Sequence, residues 1–204
     1  MNFLFTAPSM EDLIRVLRAW RFWVLGALLG ALIGAAVYTV VPPPYRAKAT
    51  VNVDFNLEQA WPQDTDRQHF YYLERESRKL EEIAWSDEIL NELSSEFGIS
   101  MEELRANRLH LSQPAEAGWH FYADDGDPQI SGSLASKWTE SFVQKVQAQI
   151  NDGDINEFVK LEATQSENLP VVRSVALSAY LFTGSMGLLA LSVFVILFTR
   201  TKNK

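Results

Sequence analysis

Two stretches of this 204-residue chain carry no charged side chain at all: Phe22 to Pro44 and Ser174 to Thr199. Within them, FWVLGALLGALIGAAVYTVV (Phe22 to Val41) and VALSAYLFTGSMGLLALSVFVILF (Val175 to Phe198) are each long enough, as helices, to cross a bilayer core of about 30 Å. Trp20, Trp23 and Tyr38 stand near the two ends of the first, where amphipathic rings favour the membrane interface. The chain therefore divides into an N-terminal segment (1–21), a first span (22–41), a middle (42–173), a second span (174–199) and a short tail (200–204).

Charge separates along the same boundaries. The net charge of −8 and the mean hydropathy of −0.09 would suit an acidic soluble domain, but they average over unlike parts. The N-terminal segment holds Arg15, Arg18 and Arg21 against Glu11 and Asp12, a net of +1, and the tail holds Arg200, Lys202 and Lys204, a net of +3. Residues 45–173 hold 12 basic and 24 acidic side chains, a net of −12. Basic flanks favour the cytoplasmic side. That places both termini in the cytoplasm and the middle outside it, with Arg46, Lys48 and Arg173 as weak opposition. A secretory signal peptide would share the basic start and the small Ala35 and Ala36. The apolar run is longer than such a peptide uses, and Pro42-Pro43-Pro44 follows it.

Gly26, Gly30 and Gly34 repeat at every fourth residue of the first span, and Ala179, Thr183 and Gly187 repeat likewise in the second. Small residues at this spacing let helix backbones approach closely in lipid, within the chain or between copies.

The middle is large enough for one modest domain. After the three prolines stop the helix, Ala47, Ala49, Val51, Val53 and Phe55 alternate with Arg46, Lys48, Thr50, Asn52 and Asp54, the period of a half-buried strand. A loop is expected over 56–66, then a helix from Arg67 to Ala84 with Phe70, Leu73, Leu80 and Ile83 as its apolar marks. Ser86 is placed to cap a helix carrying Ile89, Leu90, Leu93 and Phe97, with Gly98 as its C-cap. Ser100 and Glu103 form a capping box for a short helix, Met101 to Ala106. Two short strands, Arg108 to Ser112 and Gly118 to Ala123, flank a turn, QPAEAG. Asp127-Pro128 opens a helix with Ile130, Leu134, Trp138, Phe142 and Val146 on one face, ending near Ile150 before Asn151-Asp152-Gly153-Asp154. A last strand is expected over Phe158 to Thr164. The fold class is α+β: a small antiparallel or mixed sheet with helices on one face, held between two transmembrane helices.

No catalytic set emerges, and no cofactor or metal is expected. The chain has no cysteine, which removes disulfides, thiolate ligands and thiol nucleophiles. His69, His110 and His120 lack metal-ligand spacing. Asp124, Asp125 and Asp127 lack the calcium-loop pattern and read as a solvated turn with a helix cap. Neither a GxSxG elbow nor a phosphate loop occurs. The acidic middle argues against a nucleic-acid partner. Glu74, Glu76, Glu81 and Glu82 among Arg75, Arg78 and Lys79 read as a solvated helical face. Trp61, Trp119, Phe121 and Tyr122 could stack on sugar rings, with core packing or a subunit interface as the other reading. Trp119, Tyr122 and Trp138 are the candidate oligomer or glycan surface.

The ordered set of a basic segment, a span, the exit PPPYRAKATV, a helical α/β domain containing DGDPQISGSLASKWTESFVQKV and a second span resembles the polysaccharide co-polymerase family, the Wzz-type chain-length determinants. The resemblance runs over nearly the whole chain. It implies a non-enzymatic, homo-oligomeric protein of the bacterial plasma membrane, acting beside a polysaccharide polymerase or exporter. There it would regulate the length or export of O-antigen, capsule or exopolysaccharide. The chain lacks the long helical arm common in that family, keeps only Pro170 at the entry to the second span, and has no tyrosine in its tail. A partner tyrosine kinase would therefore be a separate chain. The other function class compatible with this layout is an extracytoplasmic sensing or anchoring module that recruits a membrane partner.

Overall fold

The computed structural model describes residues 10–56, 66–113, 118–165 and 169–198. Most of the expected QPAEAG turn (114–117), most of the 56–66 loop, Trp61 and the basic tail lie outside these residues, as do the side chains of His69 and Phe70. The chain divides into two compact units, one formed by the terminal segments up to Pro43 and from Val175, the other by Pro44–Ser174.

The second unit is α+β. Strand β1 (Tyr45–Asp54) buries Ala47, Ala49, Val51 and Val53 and turns the intervening residues outward, as its period predicts. It stops one residue short of Phe55. The Asp54 carboxylate accepts from the Asn56 backbone N–H at 2.9 Å, and Asn56 takes a left-handed φ of 43°, an Asx turn.

Helix α3 (Asp66–Ala84) turns Tyr72, Leu80, Ile83 and Ala84 inward. Two expectations fail here. Leu73 is exposed, and Glu76 is buried, at 1% accessibility, in the place assigned to a solvated face. Position 76 falls one turn from both Tyr72 and Leu80, so helical geometry carries it to the core face. Arg75 Nε at 3.0 Å and Lys79 Nζ at 3.4 Å reach its Oε1.

Helix α4 (Asp87–Phe97) closes on Gly98 at φ 67°, as expected. Ser86 has the N-cap conformation, but its buried hydroxyl makes no hydrogen bond, so Asp87 and Glu88 alone serve that end. At α5 (Met101–Glu103) Ser100 Oγ accepts from the Glu103 N–H at 3.2 Å, the expected cap. The chain then widens into a π turn over Leu104–Arg108 instead of continuing to Ala106 as an α-helix. The widening places Arg108 where it reaches both Glu103 and Asp125.

Strands β2 (Leu109–Ser112) and β3 (Gly118–Asp125) follow. Helix α6 (Pro128–Asp152) is capped by Asp127, whose carboxylate accepts from the Gln129 N–H at 2.8 Å, and ends at Gly153 with φ 83°. Ile130, read as the first residue of its apolar stripe, is exposed. Steps of four overrun a 3.6-residue turn, and Ser131 takes the buried place, its hydroxyl donating to Ala123 O at 2.8 Å.

β4 (Lys160–Gln165) and β5 (Val171–Arg173) complete a five-stranded antiparallel sheet of order β2-β3-β1-β4. β5 was not anticipated. It pairs with Tyr45–Ala47 on the same edge of β1 that β4 covers further along. The helices gather on one face of the sheet, where one core joins Val51, Phe121, Trp138, Phe142 and Leu90.

The first unit contains α1 (Met10–Arg18), a break at Ala19, α2 (Trp20–Val40) and α7 (Leu177–Phe198). α2 and α7 are both long and apolar enough to cross a membrane. They pack antiparallel, Gly26 beside Leu188 and Ser192, Gly30 beside Gly184, and Gly34 beside Tyr180.

Candidate functional site: the open face of the sheet

Strand parity divides the aromatic run of β3. Trp119, Phe121 and Ala123 point into the core, while His120, Tyr122 and Asp124 point away from the helices. Trp119, at 4% accessibility, stacks on Phe142 with ring centroids 5.8 Å apart. Trp138 is fully buried among Phe121, Trp85 and Phe142, and its Nε1 donates to Ala84 O at 2.9 Å. Neither tryptophan can form an oligomer or glycan surface; both are core residues. Of that set only Tyr122 reaches the outer face.

Cross-strand register builds the surroundings of Tyr122. Lys48 lies opposite it on β1 and His110 opposite it on β2. One step along, Arg46 faces Asp124, and one step back Thr50 faces His120, which in turn faces Ser112. Arg46 grips Asp124 with a two-bond fork, Nε to Oδ1 at 2.7 Å and Nη2 to Oδ2 at 2.6 Å. Its guanidinium carbon sits 5.6 Å from the Tyr122 ring centroid. The fork raises the Arg46 pKa further, against the opposing effect of burial. His110 Nε2 approaches Asp124 Oδ2 at 3.5 Å.

His120 Nδ1 hydrogen-bonds Thr50 Oγ1 at 3.1 Å, and its ring meets Tyr122 edge-on at 6.1 Å. Burial, then the nearby Lys48 charge, lowers the His120 pKa below 6.5, so the neutral ring is favoured.

Asp124 and Asp125 are not the solvated turn that the sequence suggests. Both are nearly buried, and Asp125 Oδ2 takes Arg108 Nη1 at 2.5 Å while its Oδ1 accepts from the Asp127 N–H at 2.8 Å. They close one end of the sheet with charge-assisted bonds.

The outward face carries Arg46, Lys48 and Lys160 against Asp54, Asp124 and Glu162, a balanced set within a domain of −12. Lys48 has no ion pair among the described residues. The arrangement offers one aromatic ring beside two cations of β1, with two histidines next to it, which suits recognition. Among the described residues, no group of three or more ligand-type side chains is placed to hold a metal ion.

The small residues of the apolar helices also sort by face. Gly26, Gly30 and Gly34 are buried against α7. Ala179, Thr183 and Gly187 are exposed, and nothing lies within 4 Å of a Cβ built on Gly187. The packing face of α7 is instead Tyr180, Gly184, Leu188 and Ser192. That row has the same fourfold spacing, one residue along from the expected one, and a search for small residues alone passes over it because Tyr180 and Leu188 are large. Arg46, Lys48 and His110 carry no such signal in the sequence, because parity gives each only a face of its own strand and the cross-strand register is what sets them beside Tyr122.

No family model matches the chain, and no curated protein matches it.

Proposed function

We propose that this chain is a non-enzymatic membrane scaffold, oligomeric in the plasma membrane, that regulates the length or export of a surface polysaccharide beside a polymerase or exporter. The observation that carries the reading is the layout. Two antiparallel apolar helices, packed through glycines, bracket one α+β domain whose entry strand is YRAKATVNVD, and this is the arrangement in which the chain resembles the chain-length determinants. Basic flanks on both outer ends favour cytoplasmic termini and an extracytoplasmic domain. Deleting the gene and resolving surface glycan by gel tests it: a changed length distribution or yield is expected, and an unchanged profile refutes it.

A second reading, an extracytoplasmic module that senses a ligand or recruits a partner, draws support from the charge-balanced face around Tyr122. Under that reading Tyr122→Ala and Lys48→Met alter signalling or partner recruitment while the glycan profile stays as in wild type.

A further inference from the structure

We infer that α1 lies along the membrane surface and binds anionic phospholipid headgroups through Arg15 and Arg18; this rests on the reading of α2 and α7 as spans.

At about 100° per residue, Met10, Leu13, Ile14 and Leu17 fall within an arc of about 100° on α1. Arg18 and Glu11 flank that arc and Arg15 lies nearly opposite its centre. The apolar side is uncovered: Met10 is 74% exposed, Leu13 and Ile14 48%, and Leu17 67%. α1 does contact α7, and Val16, off the centre of the apolar arc, is half-buried. The exposed stripe is therefore what remains after the helix has docked within its own unit.

The junction makes α1 and α2 separate helices joined by one residue. Ala19 leaves helical geometry, with φ −86° and ψ 20°. Trp23 Nε1 donates back across the break to Val16 O at 3.1 Å. One residue of connection leaves α1 no reach to a distant partner: where α2 enters the bilayer, α1 is at its surface. The nine described residues of α1 are by themselves too few to span and too few to persist as an isolated helix in water. An amphipathic helix with its apolar side in the headgroup boundary, its acidic residues Glu11 and Asp12 in the first turn and its basic ones in the last, beside the span, meets both limits.

Charge selects the lipid. Arg15 and Arg18 form no ion pair among the described residues, and Arg21 follows on α2, its guanidinium 5.8 Å from the ring of the exposed Trp20. Basic side chains beside a span are attracted to anionic headgroups within a Debye length.

The chain has no cysteine, so single cysteines can be labelled directly. A polarity-sensitive fluorophore is placed at Leu13, Leu17, Glu11 or Leu29 of the full-length protein. Each variant is reconstituted in phosphatidylcholine vesicles with or without phosphatidylglycerol. The expected result is blue-shifted emission at Leu29 in both lipids, and at Leu13 and Leu17 chiefly with phosphatidylglycerol, while Glu11 reports water. Arg15→Gln with Arg18→Gln should return the Leu17 emission toward its value in phosphatidylcholine. Water-like emission at both Leu13 and Leu17 with Leu29 immersed overturns the inference and assigns the stripe to a protein partner. Equal immersion in both lipids, insensitive to the arginine changes, overturns headgroup binding. Water-like emission at Leu29 refutes the span reading itself, and the inference with it.

Discussion

Alanine at Gly30 tests how the apolar helices hold together. A Cβ built there would sit 2.6 Å from the Gly184 carbonyl carbon and 3.0 Å from Ser185 Cα, with the Gly184 oxygen closer still. Carbon atoms in contact prefer at least about 3.5 Å, so the helices must open by about 1 Å. The obstruction is backbone, which no rotamer change relieves. Overpacking of this kind costs about 1–3 kcal/mol. Gly184→Ala meets the Gly30 carbonyl from the other side and should cost about as much. Once either alanine has opened the crossing the other has room, so the double variant should cost much less than the sum. Gly187→Ala, three residues from Gly184 and facing open space, should change stability by no more than about 0.5 kcal/mol. Intrinsic helix propensity favours alanine at all three sites, so a loss confined to two of them has to come from the contact. The assay is SDS titration of detergent-solubilised protein, read by energy transfer between dyes on cysteines at Val40 and Leu177, both exposed and at the same end of the antiparallel pair. Equal costs for Gly184→Ala and Gly187→Ala, or strict additivity between Gly30→Ala and Gly184→Ala, would refute the packing face.

Trp138→Ala should destabilise the domain by about 3–5 kcal/mol in denaturant unfolding of the full chain, whereas Tyr122→Ala on the open face should cost under about 1 kcal/mol; a reversed ranking refutes the core assignment. Arg46→Met leaves the nearly buried Asp124 without its fork and should cost about 1.5–3 kcal/mol. Adding Asp124→Leu should recover part of that loss in a double-mutant cycle, since an apolar pair can replace a buried ion pair. His120 has a folded pKa below its unfolded value of 6.5, so its contribution is fully present above about pH 6.5 and is lost as pH falls through the folded pKa. Thermal scans from pH 7.5 to 5 should show a loss that His120→Gln removes; parallel curves for the two proteins would contradict it.

What could be read from the residues depended on how many of them shared a signal. The strand after Pro44 declares itself through five alternations, and Gly98, Gly153 and Asp127-Pro128 mark helix ends by single-residue chemistry. β5 has three residues, too few to display a period, and it exists because the far edge of β1 is still unpaired beside Tyr45–Ala47. Glu76 looked solvated because charge type outweighed helical position, whereas the turn through Tyr72 and Leu80 fixes its direction. Trp119 and Tyr122 read as neighbouring aromatics along the chain, although three residues along a strand means opposite faces. On α7 nearly every residue is apolar, so composition gives no direction, and only the partner's glycines reveal which row faces inward.

The short strand β5 has a topological consequence. Tyr45 pairs with Arg173, and the Ser174 N–H donates to Pro44 O at 2.9 Å, so the chain enters and leaves the α+β domain through adjoining positions of one antiparallel ladder. A fold whose two ends meet is a cassette. It can be excised and the gap closed by a short hairpin loop, or grafted into an exposed turn of another protein, with no need for a linker to bridge a distance. Residues added between α6 and β4 would likewise enlarge the domain without displacing either end.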